Sequence, residues 1–164
     1  MSVLKGYLAN GLFSLGDRMV NELVASIVRK EIKELDLYLP QENEAINDKN
    51  SYANSVMIAE GDDSYLENAD FMIAIIDGIE IDSGVACEIG DITRQGKPVF
   101  ALFTDVRQLG RTNPKKIEAL IEDGLENQFI YRNLYVVGKI KKSQGGIYHT
   151  IEELTLAIKK HFNI

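Results

Sequence analysis

The sequence predicts an α/β protein built on a parallel sheet that carries helices on both of its faces. Short apolar runs alternate with helical patterns along the 164 residues, as they do where helices connect parallel strands. The run from Phe71 to Ile76 is apolar throughout, which is typical of a strand buried on both faces of a parallel sheet. A chain of this length can form one domain with its own core.

Two strands and one helix are expected before Pro40. The first strand is Val3 to Ala9, and a loop from Asn10 to Gly16 follows it. Apolar residues then recur at helical spacing, which predicts a helix from Asp17 to Glu34. Its inward-facing residues are Val20, Leu23, Val24, Ile27 and Val28. The second strand, Leu35 to Leu39, ends at Pro40, which has no N–H to donate to a strand ladder.

The middle of the chain predicts a polar loop, then helix, strand and helix. Gln41 to Ser51 is polar and has no periodicity, so we expect a loop that could fold over a site. A helix from Tyr52 to Asn68 follows, with core contacts expected from Val56, Ala59 and Leu66. The third strand is Asp70 to Ile76, and the next helix runs from Ser83 to Gln95.

Two strands and two helices complete the pattern. Val99 to Phe103 is the fourth predicted strand. Asn113-Pro114 reads as an N-cap and the first position of a helix whose apolar side carries Ile117, Leu120 and Ile121. The fifth strand is expected at Leu134 to Val137. Thr150 and Glu153 form a capping box for a last helix. Its inward-facing residues are Ile151, Leu154, Ile158 and Phe162.

The composition limits the partners and the compartment. The net charge of -7 and the pI of about 4.9 argue against a nucleic-acid partner, whereas small neutral ligands fit. No run approaches the roughly 20 apolar residues of a membrane span, and Met1 to Gly6 lacks the apolar core of a signal peptide. The single cysteine, Cys87, fits a reducing compartment. We therefore expect a cytoplasmic protein without a membrane partner.

Glu88 is the candidate for chemistry. Five strands with interleaved helices predict a flavodoxin-like, doubly wound five-stranded parallel sheet in a single domain over residues 1–164. Such sheets bind ligands outside the carboxyl ends of their strands, and Glu88 lies on the helix that follows the buried third strand. Its side chain leans over Gly84, which leaves open space. The helix N-terminus favours an ionised carboxylate by about 0.3–1 kcal/mol, which suits a nucleophile. An exposed helix residue is the alternative interpretation of Glu88.

Three further polar residues are expected near Glu88. Tyr7 lies near the carboxyl end of the first strand, Asp62 lies on the helix before the third strand, and Asp82 or Ser83 caps the helix of Glu88. Each has a simpler interpretation by itself, namely a core tyrosine, a solvated acid and a helix cap. Together they indicate glycosidic-bond chemistry, in which one carboxylate attacks and another group helps the leaving group.

Three segments carry a resemblance to a known family. They are Tyr7-Leu8-Ala9-Asn10-Gly11-Leu12-Phe13, Pro40-Gln41-Glu42-Asn43-Glu44-Ala45 and Asp82-Ser83-Gly84-Val85-Ala86-Cys87-Glu88-Ile89-Gly90. The first is similar to Tyr-(Leu/Phe)-Ala-Gly-Pro-x-Phe and the last to Asp-x-Gly-x-x-x-Glu-x-Gly, two motifs of the nucleoside 2-deoxyribosyltransferase family. The resemblance covers about residues 3–135. It departs from the family at Asn10-Gly11, where Gly-Pro is usual.

The resemblance implies a role for each site residue. Glu88 would attack C1′ of a 2′-deoxynucleoside, and Tyr7 would hydrogen-bond Glu88 and orient it. Asp62 would bind the nucleobase or assist its protonation, and Asp82 would hold the deoxyribose hydroxyls or the base. Asn127 would reach the sugar 5′-hydroxyl from a neighbouring subunit. The other substrate-binding positions would be Ser83, Gly84, Asn10, Gly11 and Phe13.

The implied activity is transfer of 2-deoxyribose between nucleobases, through a covalent deoxyribosyl-Glu88 intermediate and with retention. Such an enzyme would act in nucleotide salvage on a deoxynucleoside and a free nucleobase. It would need no cofactor and no metal, and it would form dimers or multiples of dimers. His149 and His161 are accordingly expected at the surface.

Two alternative functions stay open. A hydrolase of 2′-deoxynucleoside 5′-monophosphates would use the same Glu88. Asp82 would repel a phosphate dianion, whereas Ser83 and the helix N-terminus could hold one. A nucleoside- or nucleotide-binding sensor module without turnover is the other alternative.

Overall fold

Five parallel strands form the sheet, in the order β2-β1-β3-β4-β5. The computed structural model describes residues 3–48, 50 and 52–164. The strands are β1 Leu4–Ala9, β2 Leu35–Tyr38, β3 Phe71–Ile75, β4 Val99–Leu102 and β5 Gly146–Tyr148. This order is that of flavodoxin-like doubly wound sheets, so the predicted fold class is confirmed.

Helices cover both faces of the sheet. They are α1 Leu15–Glu31, α2 Glu44–Asn47, α3 Ser55–Asn68, α4 Ser83–Arg94, α5 Pro114–Glu122, α6 Leu134–Lys142 and α7 Ile151–Phe162. The helices α3, α4 and α6 pack on one face, and α1 and α7 pack on the other. No helix within the described residues has both the length and the apolar character needed to cross a membrane.

The strand β3 lies at the centre of the sheet, and all five of its residues are buried. Side chains alternate along the neighbouring strand β1, where Tyr7 and Ala9 face α3 and α4 while Leu8 faces α1. This alternation decides which polar groups can meet at the carboxyl end of the sheet. It turns Tyr7 toward the helix that carries Glu88.

The predicted fifth strand is wrong. Leu134 to Val137 belongs to α6, because the side-chain oxygen Oδ1 of Asn133 accepts hydrogen bonds from the N–H groups of Tyr135 and Val136 and caps a helix there. Ile140, one turn further on, is buried against the sheet. The edge strand is instead β5, which has only three residues and is too short to show a periodic pattern.

Several helix boundaries and core faces also differ from the prediction. The helix α1 begins at Leu15 because Ser14 is its N-cap, and α3 begins after the cap Asn54. The polar segment 41–51 is not entirely a loop, since it contains part of a 3₁₀ turn and the short helix α2, although Lys49 and Ser51 lie outside the described residues. Apolar residues that were expected inside but are exposed are Val20, Leu23, Val56, Ala59, Ile117 and Ile121.

We expect Gly145→Ala to destabilise the fold by about 2–3 kcal/mol. A Cβ at Gly145 would lie 1.9 Å from the Val99 carbonyl oxygen, so the backbone of β4 would have to shift. The matched control is Gly138→Ala on α6, where an added Cβ would meet no atom outside its own helix within 4 Å and alanine should stabilise the fold by about 0.5–1 kcal/mol. Urea unfolding of both variants measures the difference. Equal midpoints for the two variants would contradict the packing of β4 against the turn before β5.

Candidate active site

A hydrogen bond between Tyr7 and Glu88 lies at the carboxyl end of the sheet. The buried Tyr7 hydroxyl on β1 donates to Oε1 of Glu88 on α4, with an oxygen–oxygen distance of 2.6 Å. Val85 and Ile89 anchor α4 to the same core layer as Tyr7, and this packing brings Glu88 over the end of β1. Oxygens at this distance form a strong hydrogen bond when one of them is ionised.

The start of α4 is fixed by Asp82. Its Oδ1 accepts hydrogen bonds from the N–H groups of Gly84 at 2.8 Å and Val85 at 3.1 Å, as an N-cap does. A Cβ at Gly84 would lie 3.1 Å from that same oxygen, so glycine allows the cap to form without crowding. Ser83 is the first residue of the helix and is exposed.

A cavity of about 240 Å³ opens beside Glu88. It is smaller than the roughly 300–1,000 Å³ of most drug-sized ligand sites, so it suits one small molecule. Four segments supply its wall: the loop after β1, the segment after β2, α3 and the start of α4. Its lining residues are Asn10, Gly11, Leu12, Phe13, Pro40, Asn47, Ile58, Asp62, Asp82, Gly84, Val85 and Glu88.

Most of the candidate residues from the sequence therefore lie together. Tyr7 is not in the wall, but its hydroxyl donates a hydrogen bond to the lining residue Glu88. Ser83 and Asn127 are not part of this wall. Asn127 follows a 3₁₀ turn, and its side-chain oxygen accepts a hydrogen bond from the Phe129 N–H at 2.9 Å.

Sequence reasoning missed several wall residues. Leu12, Pro40 and Val85 fall inside the three resembling segments, so their positions could have been inferred from neighbours. Asn47 and Ile58 lie outside those segments. Their contribution depends on which face α2 and α3 turn toward the sheet, and no periodic pattern reveals that face.

The pKa of Glu88 is raised from its ordinary value of 4.5 to about 7. Burial is the largest cause, and the negative charges of Asp62 and Asp82 add to it, while the hydrogen bond from Tyr7 acts in the opposite direction. The helix N-terminus is expected to favour the ionised carboxylate, but it does not decide the protonation state of Glu88. Desolvation outweighs a helix effect of about 0.3–1 kcal/mol, and near neutral pH both protonation states are populated.

Neighbouring groups share this environment. Burial raises the pKa of Asp62, with a further contribution from Asp63, and Tyr7 partly offsets the rise. Burial and the charge of Glu88 raise the pKa of Tyr7, so its hydroxyl stays protonated and remains a donor. Burial likewise raises the pKa of Tyr38 to about 12.

Tyr38 belongs to an aromatic group that the sequence did not reveal. Its ring stacks on Tyr65 with centroids 3.5 Å apart, and it lies 5.3 Å from the ring of Tyr7. The amide of Asn43 donates a 3.0 Å hydrogen bond to the Tyr38 hydroxyl. These contacts pack against the Tyr7 ring on the side of β1 that faces away from β3.

Arg132 holds the loop between β3 and α4. Its Nε donates to the Ile76 carbonyl at 2.7 Å and its Nη2 to the Gly78 carbonyl at 2.6 Å. The guanidinium group also lies over the Phe103 ring, 4.7 Å from the centroid. Because Asp82 follows directly after this loop, Arg132 fixes the approach to the cap of α4.

The described part of the chain contains no cluster of three His, Cys, Asp or Glu side chains that could hold a metal ion. Both histidines have other contacts. Nδ1 of His149 lies 2.9 Å from the Phe103 carbonyl oxygen, and His161 packs against the rings of Phe100 and Phe162.

Comparisons relate the chain to known proteins. The family model described as nucleoside 2-deoxyribosyltransferase matches residues 7–145. The crystal structure of a conserved protein from Enterococcus faecalis V583 has 46% sequence identity and a TM-score of 0.91, over 98% of this chain and 99% of that one. A 2-deoxyribosyltransferase from Bacillus psychrosaccharolyticus shares the fold, with 19% identity and a TM-score of 0.64 over 92% of this chain and 90% of that one. No curated protein matches the sequence significantly.

Replacing Glu88 by glutamine changes the free energy of unfolding by an amount that should depend on pH. This change, variant minus parent, should be about 2 kcal/mol more positive at pH 8 than at pH 4. The folded-state pKa of about 7 lies above the ordinary 4.5, so the folded chain binds the Glu88 proton more tightly. The stability that this proton contributes is fully present below pH 4.5 and is lost as the pH rises through 7. Glutamine keeps an oxygen for Tyr7 and does not titrate.

Urea unfolding of parent and variant at both pH values measures this difference. Glu118→Gln, at an exposed position on α5, is the matched control and should show no pH-dependent change. The same difference between parent and Glu88→Gln at both pH values would contradict the raised pKa.

Proposed function

The chain belongs to the nucleoside 2-deoxyribosyltransferase family, and we propose that it transfers 2-deoxyribose from a deoxynucleoside to a free nucleobase. The observation that carries this proposal is the Tyr7–Glu88 hydrogen bond at the wall of a small cavity. One domain over residues 1–164 would perform the reaction. Its role would be in nucleotide salvage, in the cytoplasm and without a cofactor or a metal.

Glu88 is the nucleophile in this mechanism. Tyr7 engages Oε1, which leaves Oε2 to bond with C1′ of the sugar as the bond from C1′ to the base nitrogen breaks. The transition state has oxocarbenium character, and the Glu88 charge stabilises it. The nitrogen of a second base then attacks C1′ and displaces Glu88. Two displacements at the same carbon restore the original configuration.

Asp62 is suited to helping the base depart. Burial raises its pKa, which increases the protonated fraction available to donate to the leaving nitrogen. It lines the same cavity as Glu88, and general-acid help of this kind is typically worth 10²–10⁴-fold in rate. The same group accepts the proton back when the second base attacks. Asp82, at the other acidic position of the wall, would bind a sugar hydroxyl.

The charge of the cavity favours a nucleoside over its 5′-monophosphate. Three carboxyl groups, those of Asp62, Asp82 and Glu88, line it, and none of the described lining residues carries a positive charge. A phosphate dianion within a few ångströms of these groups would be repelled. Ser83, which could have supported phosphate binding, is not in the wall.

Incubation with deoxyinosine and adenine should yield deoxyadenosine and hypoxanthine. Glu88→Gln should lower this exchange by about 10⁴-fold or more, because the nucleophile is removed. Chromatography of the four compounds measures the exchange, with Glu118→Gln as a control that should retain the parent rate. Exchange by Glu88→Gln at the parent rate would contradict the mechanism. Release of base from deoxyadenosine monophosphate without any exchange would support the hydrolase, and binding without turnover would support the sensor.

The exchange should require ionised Glu88 and protonated Asp62, so kcat/KM should give a bell-shaped pH profile with one limb near the Glu88 pKa of about 7. Tyr7→Phe removes the hydrogen bond that lowers the Glu88 pKa, and this limb should then move to higher pH. A profile without a limb near pH 7 would contradict the role of Glu88. An unchanged limb in Tyr7→Phe would contradict the role of Tyr7.

We also propose that the chain forms a homodimer or a multiple of dimers, with Asn127 acting from the neighbouring subunit. An apolar stripe supports this: Leu15, Met19 and Leu23 lie on one side of α1, and each is more than half exposed. Light scattering should give at least twice the monomer mass of 18.4 kDa. The double variant Met19→Glu/Leu23→Glu should be monomeric, whereas Leu156→Glu on α7 should not. A monomeric parent at micromolar concentration would contradict this proposal.

A further inference from the structure

Asn21 is a buried polar side chain on the core-facing side of α1. It is 1% exposed, and the residues one turn further on, Val24 and Ala25, are packed in the apolar core. An apolar residue would suit this position of the helix, whereas an amide without partners would cost about 1–3 kcal/mol there. The reason for the amide therefore lies outside the helix itself.

The Asn21 amide joins two loops. Its Oδ1 accepts a hydrogen bond from the side chain of Asn10 at 2.8 Å. Its Nδ2 donates to the Gly11 carbonyl at 3.0 Å and to Oε1 of Gln41 at 2.9 Å. The carbonyl of Gly11 can only accept, which fixes the nitrogen of the amide on that side. Both N–H groups of Asn21 are thus used, one for each loop.

These two loops form adjacent parts of the cavity wall. Asn10 and Gly11 line the cavity directly, and Gln41 follows the lining residue Pro40. Asn21 itself is not in the wall, so it has no contact with a ligand held there. Its hydrogen bonds fix how far the segment after β1 lies from the segment after β2.

We propose that Asn21 is a positioning residue that sets the spacing of these two loops and thereby the affinity of the cavity for its substrate. The kinetic part of this inference rests on the proposed deoxyribosyl transfer. Chemistry at C1′ depends on Tyr7 and Glu88, which are held by β1 and α4, and the hydrogen bonds of Asn21 go to other residues. Loss of Asn21 therefore weakens binding more than it slows the chemical step.

Asn21→Leu is the test, because leucine fills a similar volume and makes no hydrogen bond. With adenine saturating, KM for deoxyinosine should rise about tenfold, while kcat stays within about threefold of the parent. The limb of the pH profile near pH 7 should not move. Gln41→Ala removes only the hydrogen bond from Asn21 to the segment after β2 and should raise KM by a smaller factor. Adding Gln41→Ala to Asn21→Leu should raise KM no further.

Thr155→Val is the matched control. Thr155 is the other buried polar residue among those described, 3% exposed, and its hydroxyl donates to the Ile151 carbonyl on α7 at 2.7 Å. Thr155→Val and Asn21→Leu should both lower the melting temperature, but kcat and KM of Thr155→Val should equal those of the parent. An equal rise of KM in Thr155→Val, a parent KM in Asn21→Leu, or a loss confined to kcat would each overturn the proposal.

Amide hydrogen exchange gives a readout that needs no turnover. In Asn21→Leu, protection should fall in residues 10–13 and 41–43, whereas in Thr155→Val it should stay at the parent level there. Unchanged protection in Asn21→Leu would overturn the inference even if the enzyme is active. Absence of base exchange in the parent would instead count against the proposed function, and the loop result would still decide whether Asn21 couples the two segments.

Discussion

A carboxyl group can be buried beside two other acids only if something compensates it, and for Glu88 the compensating group is the Tyr7 hydroxyl. The hydrogen bond between them joins the first strand to the helix after the third strand, so the site depends on the register of β1 beside β3. Burial still has a larger effect on the Glu88 pKa than the hydrogen bond from Tyr7, so this pKa lies near 7. The fold thus holds this group close to the point where a small change of environment alters its charge.

Much of the fold follows from local pattern. The run Phe71 to Ile76, the capping pair Thr150 and Glu153, and the cap Asn113 before Pro114 each act through near neighbours, and each led to the correct kind of element. The fifth strand failed because a segment of three residues carries no period, while the helical run at Leu134 offered an apolar alternative. The prediction of core-facing residues was wrong where a helix is apolar on more than one side, as α1 and α3 are.

The site was predictable where it is built from contiguous motif residues. Asp82, Gly84 and Glu88 occupy the cap and the first two turns of one helix, and their spacing alone puts them together. Asp62 and Tyr7 join them through the parallel order of the strands. Asn21, Tyr38 and Arg132 could not be found in this way, because their partners lie on other loops and their importance appears only in three dimensions. The raised pKa of Glu88 could not be predicted for the same reason, since burial is a property of the folded chain.

The hydrogen bonds from Arg132 to the loop between β3 and α4 have a consequence for ligand binding. Its guanidinium group holds the carbonyls of Ile76 and Gly78, so the approach to α4 is ordered before any ligand arrives. Conformational entropy that a mobile loop would lose at every encounter is here lost once, when the chain folds. Association at this side of the cavity should therefore resemble docking to a rigid surface, with a small entropic penalty and fast capture.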